Sequence, residues 1–297
     1  MPVQTGSPVV TLRNASAYPY DGAISAARTC YAPRVVGPDE VTASQRESIG
    51  PLTFDAGHHT VWQPAHFEVG LENISRQLVW TFLHSHPFYN SEQSSQRFVR
   101  LDEIRAHVPQ GLAGEARRVY EEAIESAWES YRRLTTLLKD DTLRILSDVR
   151  HLPPNASEKR QKKVRREAEK KAIEIARYVI PVAAFTSMVH TVSGIVLHRL
   201  HRLLLTGDAP RESRAVVEAM VAHVRGVDPD FFERIGEGPL EANEIVETRL
   251  PRLATDGDAE AARLDALLDG RTSRLVAWMD NAEEMTAEAV RAVLGQG

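Results

Sequence analysis

Two stretches of this chain alternate apolar and polar residues, and the rest of it largely does not. In PVVTLRNAS at 8–16 and HFEVGLENI at 66–74 the alternation is clear, and in the second Phe67, Val69 and Leu71 fall on one side. A period of two predicts strands with one buried face. Elsewhere the pattern is helical. The run 114–139 brings Val119, Ala123, Ala127, Tyr131 and Leu134 near one face, and its acidic first half and basic second half suit the helix dipole. Pro153, Pro154 and Asn155 break the chain, and Ser157 is placed to cap the next helix. That helix, 158–180, begins almost wholly charged and turns amphipathic near Ala172. Further helices are expected at 184–205 and 210–226. Gly236, Gly238 and Pro239 form a second breaker, followed by helices near 257–269 and 283–294. No internal repeat is visible.

Composition narrows the class. With 297 residues, 42% of them hydrophobic, the chain can bury a sizeable core as one large domain, with or without an appendage. No segment approaches the roughly 18 uninterrupted apolar residues of a membrane span, and no secretory leader opens the chain, so a cytoplasmic location is the expectation. The single cysteine, Cys30, excludes an intramolecular disulfide and reads as a small buried residue of a helix rather than a nucleophile. The net charge of −5 argues against a general nucleic-acid binder. From Glu237 onward thirteen acids face six arginines, so that tail carries −7 and the remainder +2. The basic run Lys159–Lys171 has no interleaved aromatics, and Glu158, Glu167 and Glu169 stand in register with its bases, which reads as a solvated helix face.

Residues 57–99 concentrate the polar chemistry. His58, His59, His66, His84 and His86 suggest zinc at first sight, yet no carboxylate or cysteine falls at a familiar ligand spacing, and His198 and His201 sit among arginines. The histidines read as structural or cofactor-contacting, with no metal. Hydrolase and phosphate-loop signatures are absent: there is no Gly-x-Ser-x-Gly, no Gly-rich loop and no His-Glu-x-x-His.

The same segment resembles the flavin-dependent thymidylate synthases. Gly57, His58 and Thr60 match the family's Gly-His-x-Ser/Thr element, Ser75 and Arg76 its Ser-Arg pair, and Gln96, Arg97, Phe98 and Val99 its closing Gln-Arg-aromatic-Val. Two further blocks fit in order: AISAARTCYAP at 23–33, and 174–194, where Ala176, Arg177, Val179 and Pro181 lie on an Ala-Arg-x-Val-Leu-Pro pattern. Ala209 to Glu212 stand where the family writes Ala-Gln-Trp-Glu. These blocks span residues 8–235.

The resemblance implies an α/β (α+β) fold, a central antiparallel sheet flanked by helices. It places that domain at 1–236, with a helical insertion at about 100–172, and leaves 237–297 as an acidic helical appendage. It implies transfer of a methylene from methylenetetrahydrofolate to dUMP, with FAD supplying hydride and NADPH refilling the flavin, in a homotetramer whose sites draw on several subunits. Arg97 and Arg177 would grip the nucleotide phosphate, since guanidinium binds phosphate bidentately and keeps its charge. On pattern alone Arg177 is equally an arginine on the surface of a basic helix. Ser94 or Ser95 would join the phosphate; one extra residue before Arg97 leaves the choice open. Thr60, Glu92 and the triplet His84, Ser85 and His86 fall on flavin-side positions.

The departures carry a second reading. His84-Ser85-His86 replaces Arg-His-Arg, Gln63-Pro64 replaces Glu-His, and Ser193 and Ile195 stand in the family's Asn-x-Arg. Arg199, one helical turn beyond Ile195, is the candidate to replace the lost catalytic arginine. The alternatives are a protein that kept the fold for a binding or structural role, or one that methylates a different pyrimidine nucleotide.

Overall fold

The computed structural model describes residues 2–84, 89–206, 209–241, 243–244, 257–275 and 278–293. Four strands, β1 (Val9–Ala15), β2 (His66–Ser75), β3 (Tyr89–Gln93) and β4 (Phe185–Ser193), form an antiparallel sheet in the order β1-β2-β4-β3. Both alternating stretches of the sequence are therefore strands. Phe67, Val69 and Leu71 are buried on one face, as their spacing predicts. A register shift after Leu71, with Asn73 at φ 54°, changes the phase so that Ile74 and Ser75 are both buried.

The largest difference from the expected elements lies at 184–205. Its first half is the strand β4, and the helix α6 (Gly194–Leu205) begins only at Gly194. The alternation in Phe185–Ser193 is blurred because two of its inward residues, Thr186 and His190, are polar while outward Val189 is apolar. His190 is accommodated by Ser91, its cross-strand neighbour on β3, whose Oγ lies 2.8 Å from Nδ1. β3 itself, Tyr-Asn-Ser-Glu-Gln, carries too little hydrophobic signal to read as a strand.

The core fills the face of the sheet against α1 (Pro19–Thr29), α6 and α7 (Arg211–Val227), with Phe231 of the short helix α8 (Asp230–Glu233) wedged among them. Between α1 and β2 runs α2 (Ala43–Asp55), where Thr42 and Gln45 form a capping box. Cys30 is exposed, contrary to the sequence reading, because α1 ends at Thr29 and leaves it at the C-cap.

β2 leads into a single turn, α3 (Arg76–Leu78), and a π-helical turn at Val79–Leu83. Beyond β3 the chain builds a helical hairpin from α4 (Gly114–Val149) and α5 (Glu158–Ala176). α4 runs ten residues past the expected 139, and its buried face is Ile124, Trp128 and Tyr131; Val119 is exposed. The inward face is displaced because Ile124 and Trp128 pack with Ile104, Ala106 and Ala184 beside the sheet. α5 buries Val164, Ala168, Ala172 and Ala176 at i, i+4 spacing toward α4, and its bases are exposed and partly paired, as in Arg150–Glu167 and Lys139–Glu169. Ser157 occupies the N-cap, but its side chain makes no capping bond.

The chain divides into compact units at 1–241 and 242–297. Residues 237–240 stay with the first, because Arg199 and Arg202 hold Glu237, Arg202 Nε donates to Gly238 O, and Leu240 N donates to Thr206 Oγ1. The second unit contains α9 (Gly257–Leu268) and α10 (Ala282–Val293). No helix among the described residues is long and apolar enough to cross a membrane.

Candidate functional site

Most of the described residues singled out in the sequence fall into two clusters at opposite ends of β4. Antiparallel pairing puts Ser75 beside Phe185 and His66 beside Ser193. The strand's 9 residues, at a rise of about 3.3 Å from each to the next, separate those ends by roughly 26 Å between the first and last Cα.

At the Phe185 end, the segment after α5 folds back along α3: Arg76 N donates to Ala184 O and Gln77 N to Val182 O. This brings Arg177 beside Arg76. The Arg76 guanidinium has its pKa lowered, first by burial and then by the Arg177 charge. Arg97 joins the group. The carboxyl of Glu174 is held below its ordinary pKa by a hydrogen bond from Lys171 and by the charges of Lys171, Arg97 and Arg177. Residues 97 and 177, eighty positions apart, thus share one carboxylate neighbour. Arg177 Nε donates to Glu174 O, and its guanidinium lies 5.3 Å from the Tyr178 ring centroid; Arg97 lies over Phe98 at 5.4 Å.

Arg97 belongs to a tight turn that Ser95 organises, accepting from Phe98 N and Val99 N at its carbonyl and from Arg97 N at its hydroxyl. Ser94 hydrogen-bonds Ser187 of β4 through both backbone and hydroxyl. Ser94 and Ser95 line a cavity of about 540 Å³ with Gln96, Arg105, Phe185 and Ser187, whereas Arg97 and Arg177 lie outside that lining. Gln96 is the residue that the sequence did not single out for a role. It is only 9% exposed, and its amide nitrogen has no hydrogen-bond partner, an arrangement that costs about 1–3 kcal/mol. Nothing in its local sequence distinguishes a glutamine in a polar turn that points inward from one that points out. Glu92 faces the opposite side of the sheet from the core, in a trough with Thr11, Arg13, Glu72 and Ser187.

At the Ser193 end, α2 gives way to Gly57, whose φ of 79° suits glycine, and to a 3₁₀ turn at His59–Trp62. Thr60 is exposed there. His59 Nε2 meets Phe54 O at 3.0 Å while Nδ1 faces Arg199 Nη2 at 2.8 Å. Arginine only donates, so Nδ1 accepts and the imidazole is neutral with its proton on Nε2. Burial, aided by the Arg199 charge, lowers the His59 pKa accordingly. Arg199 also pairs with Glu237. It therefore stands with the Thr60 group, and Ile195, one turn earlier on α6, lies in the hydrophobic core.

His84 ends the π-helical turn, half-buried, and burial lowers its pKa. Ser85 and His86 lie outside the described residues. Among the described residues no three His, Cys, Asp or Glu side chains come together as metal ligands.

The thymidylate synthase complementing protein family model matches residues 14–230. The chain is 28% identical over 225 residues to the flavin-dependent thymidylate synthase of Clostridium tetani, covering 74% of this chain and 83% of that one. It is 29% identical over 223 residues to the enzyme of the same name from Geobacter sulfurreducens, covering 72% and 81%. Among solved structures, the UMP/dUMP methylase PolB of Streptomyces cacaoi bound with 5-Br dUMP superimposes with a TM-score of 0.55 at 17% identity, over 80% of this chain and all of that one. That likeness concerns the fold, whose antiparallel sheet and flanking helices the two share. With more than half of its length matched by the family model, this chain belongs to the thymidylate synthase complementing protein family.

Proposed function

We propose that this protein is a flavin-dependent methyltransferase acting on a pyrimidine nucleotide, dUMP or a close relative such as UMP. The observation that carries this reading is that Arg97 and Arg177 share one carboxylate, Glu174, with Lys171, while Arg76 stands beside Arg177. A cluster richer in guanidinium than in carboxylate suits a phosphate dianion, which it can bind bidentately. Ser94 and Ser95 stand on the same turn and supply hydroxyl donors. The curated relatives are named for flavin-dependent thymidylate synthesis.

FAD fits the other cluster. Gly57 leaves open space where a side chain would stand, Thr60 offers an exposed hydroxyl, and Arg199 supplies a cation; the other flavin-side candidates, His84 and Glu92, stand outside this cluster, Glu92 in a trough with Ser94 and Ser187. Bound there, the flavin would supply hydride, with NADPH as reductant and methylenetetrahydrofolate as one-carbon donor. The chain's residues would bind and orient: Arg97 and Arg177 hold the phosphate, and Arg199, oriented by His59 and Glu237, places positive charge beside the ring. The clusters occupy opposite ends of β4, so a site that used both would draw on a second copy of the chain, in keeping with the composite sites of the proposed homotetramer. The proposed setting is the cytoplasm. The main body, with its α4–α5 insertion, carries the activity, and the acidic C-terminal unit is an appendage to it.

One observation favours the alternative of a retained fold without this chemistry. Ile195 stands where the family carries an arginine, and it is buried in the core. The test is calorimetric titration of dUMP and UMP into wild type, Arg97→Ala and Arg177→Ala, together with flavin absorbance of the purified protein. Loss of either arginine is expected to weaken nucleotide binding about 30- to 1000-fold, equivalent to about 2–4 kcal/mol. Equal binding by all three proteins would sink the phosphate assignment, and a colourless protein that binds neither nucleotide would favour the alternative.

A further inference from the structure

The cavity beside the Arg97 turn has a chemistry of its own. Its walls come from the turn after β3, the stretch that follows to Arg105, the ends of β2 and β4, and Trp128 of α4. Trp128 commits its indole N–H to Glu103 O at 2.9 Å, so it offers the cavity only hydrocarbon. Arg105 is engaged by Asn73 Oδ1 at 2.6 Å. Glu72, Asp102 and Glu103 outnumber Arg100 and Arg105 in the lining, which disfavours an anionic occupant.

Against this background stands the carboxamide of Gln96, nine-tenths buried with its nitrogen unpartnered. A carboxamide carries a donor and an acceptor side by side, and it matches a ring edge that presents a carbonyl next to an N–H. A half-turn about its last torsion exchanges the two atoms, so the edge can be met in either order. The volume, about 540 Å³, lies within the usual range for small-molecule sites. Gln96 immediately precedes Arg97, so a ring held by the first leaves a phosphate attached to it within reach of the second.

We infer that this cavity is a binding site for a neutral planar heterocycle with a lactam or imide edge, and that the Gln96 carboxamide reads that edge. The inference rests on the nucleotide reading above, for which the ring would be the pyrimidine base. The same edge occurs in pteridine and isoalloxazine rings, so the ligand's source is a matter for experiment.

The test uses the full-length protein and ligands without phosphate, so that it reads the cavity separately from the arginines. Uridine, N3-methyluridine, folic acid and riboflavin are titrated into wild type, Gln96→Leu and Gln96→Glu by saturation-transfer NMR. Uridine is expected to bind wild type at least 10-fold more tightly than N3-methyluridine, whose ring N–H is blocked, and to lose at least 10-fold on Gln96→Leu. Gln96→Leu should melt at or above the wild-type temperature, because it removes an unpaired buried amide, so weaker binding cannot be ascribed to unfolding. Gln96 dependence for folic acid or riboflavin in place of uridine supports the site and assigns its ring to a cofactor. Equal binding of uridine by wild type and Gln96→Leu with no such dependence for the other rings, or no ring bound by wild type, overturns the inference. Nucleotide binding that depends on Arg97 but not on Gln96 would overturn only this site, whereas Gln96-dependent uridine binding with dUMP affinity insensitive to Arg97 and Arg177 would overturn only the phosphate assignment.

Discussion

The carboxylate of Glu212, in the first turn of α7, grips Ser75 at the end of β2 through two hydrogen bonds, 2.7 Å from the backbone N and 2.6 Å from the hydroxyl. Ser75 Oγ in turn accepts from Leu78 N and caps α3, the turn that begins with Arg76. An acid 137 positions away thereby fixes the start of the turn that carries a cation of the proposed phosphate site. Glu212→Ala leaves a buried N–H and hydroxyl without their charged acceptor and is expected to cost about 2–4 kcal/mol in urea unfolding. A loss below about 0.5 kcal/mol would mean that water replaces the carboxylate freely.

His198 on α6 makes the fold sensitive to acid. Its Nε2 donates to Phe231 O at 2.8 Å, and its ring packs against Phe54, Phe231 and Phe232. Burial is the main cause that lowers its pKa to about 4 from the ordinary 6.5, with Arg199, His201 and His59 acting in the same direction. The unfolded chain therefore takes up the proton first as pH falls. Stability from this group is complete above about pH 6.5 and declines between 6.5 and 4, by on the order of 3 kcal/mol. His59, His84 and His201, also lowered, add losses of the same sign. Denaturant midpoints measured from pH 7.5 to 4.5 should fall steeply for wild type and less steeply for His198→Gln, which retains a donor but not the titration. Identical slopes would exclude His198 as a source.

Ile195→Arg restores the family's residue type but is not expected to restore function. Ile195 is 7% exposed, in a cluster that also contains Val196, Leu200 and Val224. An arginine there must bury an unpaired charge or displace α6, at a cost of about 3–5 kcal/mol. Thermal unfolding well below wild type is the expected result; a stable variant that binds nucleotide more tightly would show that α6 has another accessible packing.

Much of the architecture was legible because it is local. β1, β2, α5 and α7 each carry a period that one surface imposes, and the breakers at Pro153-Pro154 and Gly236 act through backbone conformation alone. The family blocks in 23–33, 57–99 and 174–194 likewise survive as short strings. β4 escaped because both of its faces mix polar and apolar residues, and Ser91, the partner of its His190, lies 99 positions away. The inward face of α4 escaped for a related reason: several stripes along that helix are half-apolar, and only the positions of Ile104, Ala106 and Ala184 select Ile124 and Trp128.

By itself the sequence determined the chemistry available: four arginines, a serine pair, a glutamine in a polar turn, and a family likeness with its charged triplet missing. Only the tertiary structure decided which of these meet. It gathered Arg97, Arg177 and Arg76 at one end of β4, sent Thr60 and Arg199 to the other, and turned Gln96 inward. The physical reason is that strand pairing and burial join residues tens to hundreds of positions apart, whereas periodicity and turn chemistry report only on neighbours within a few residues.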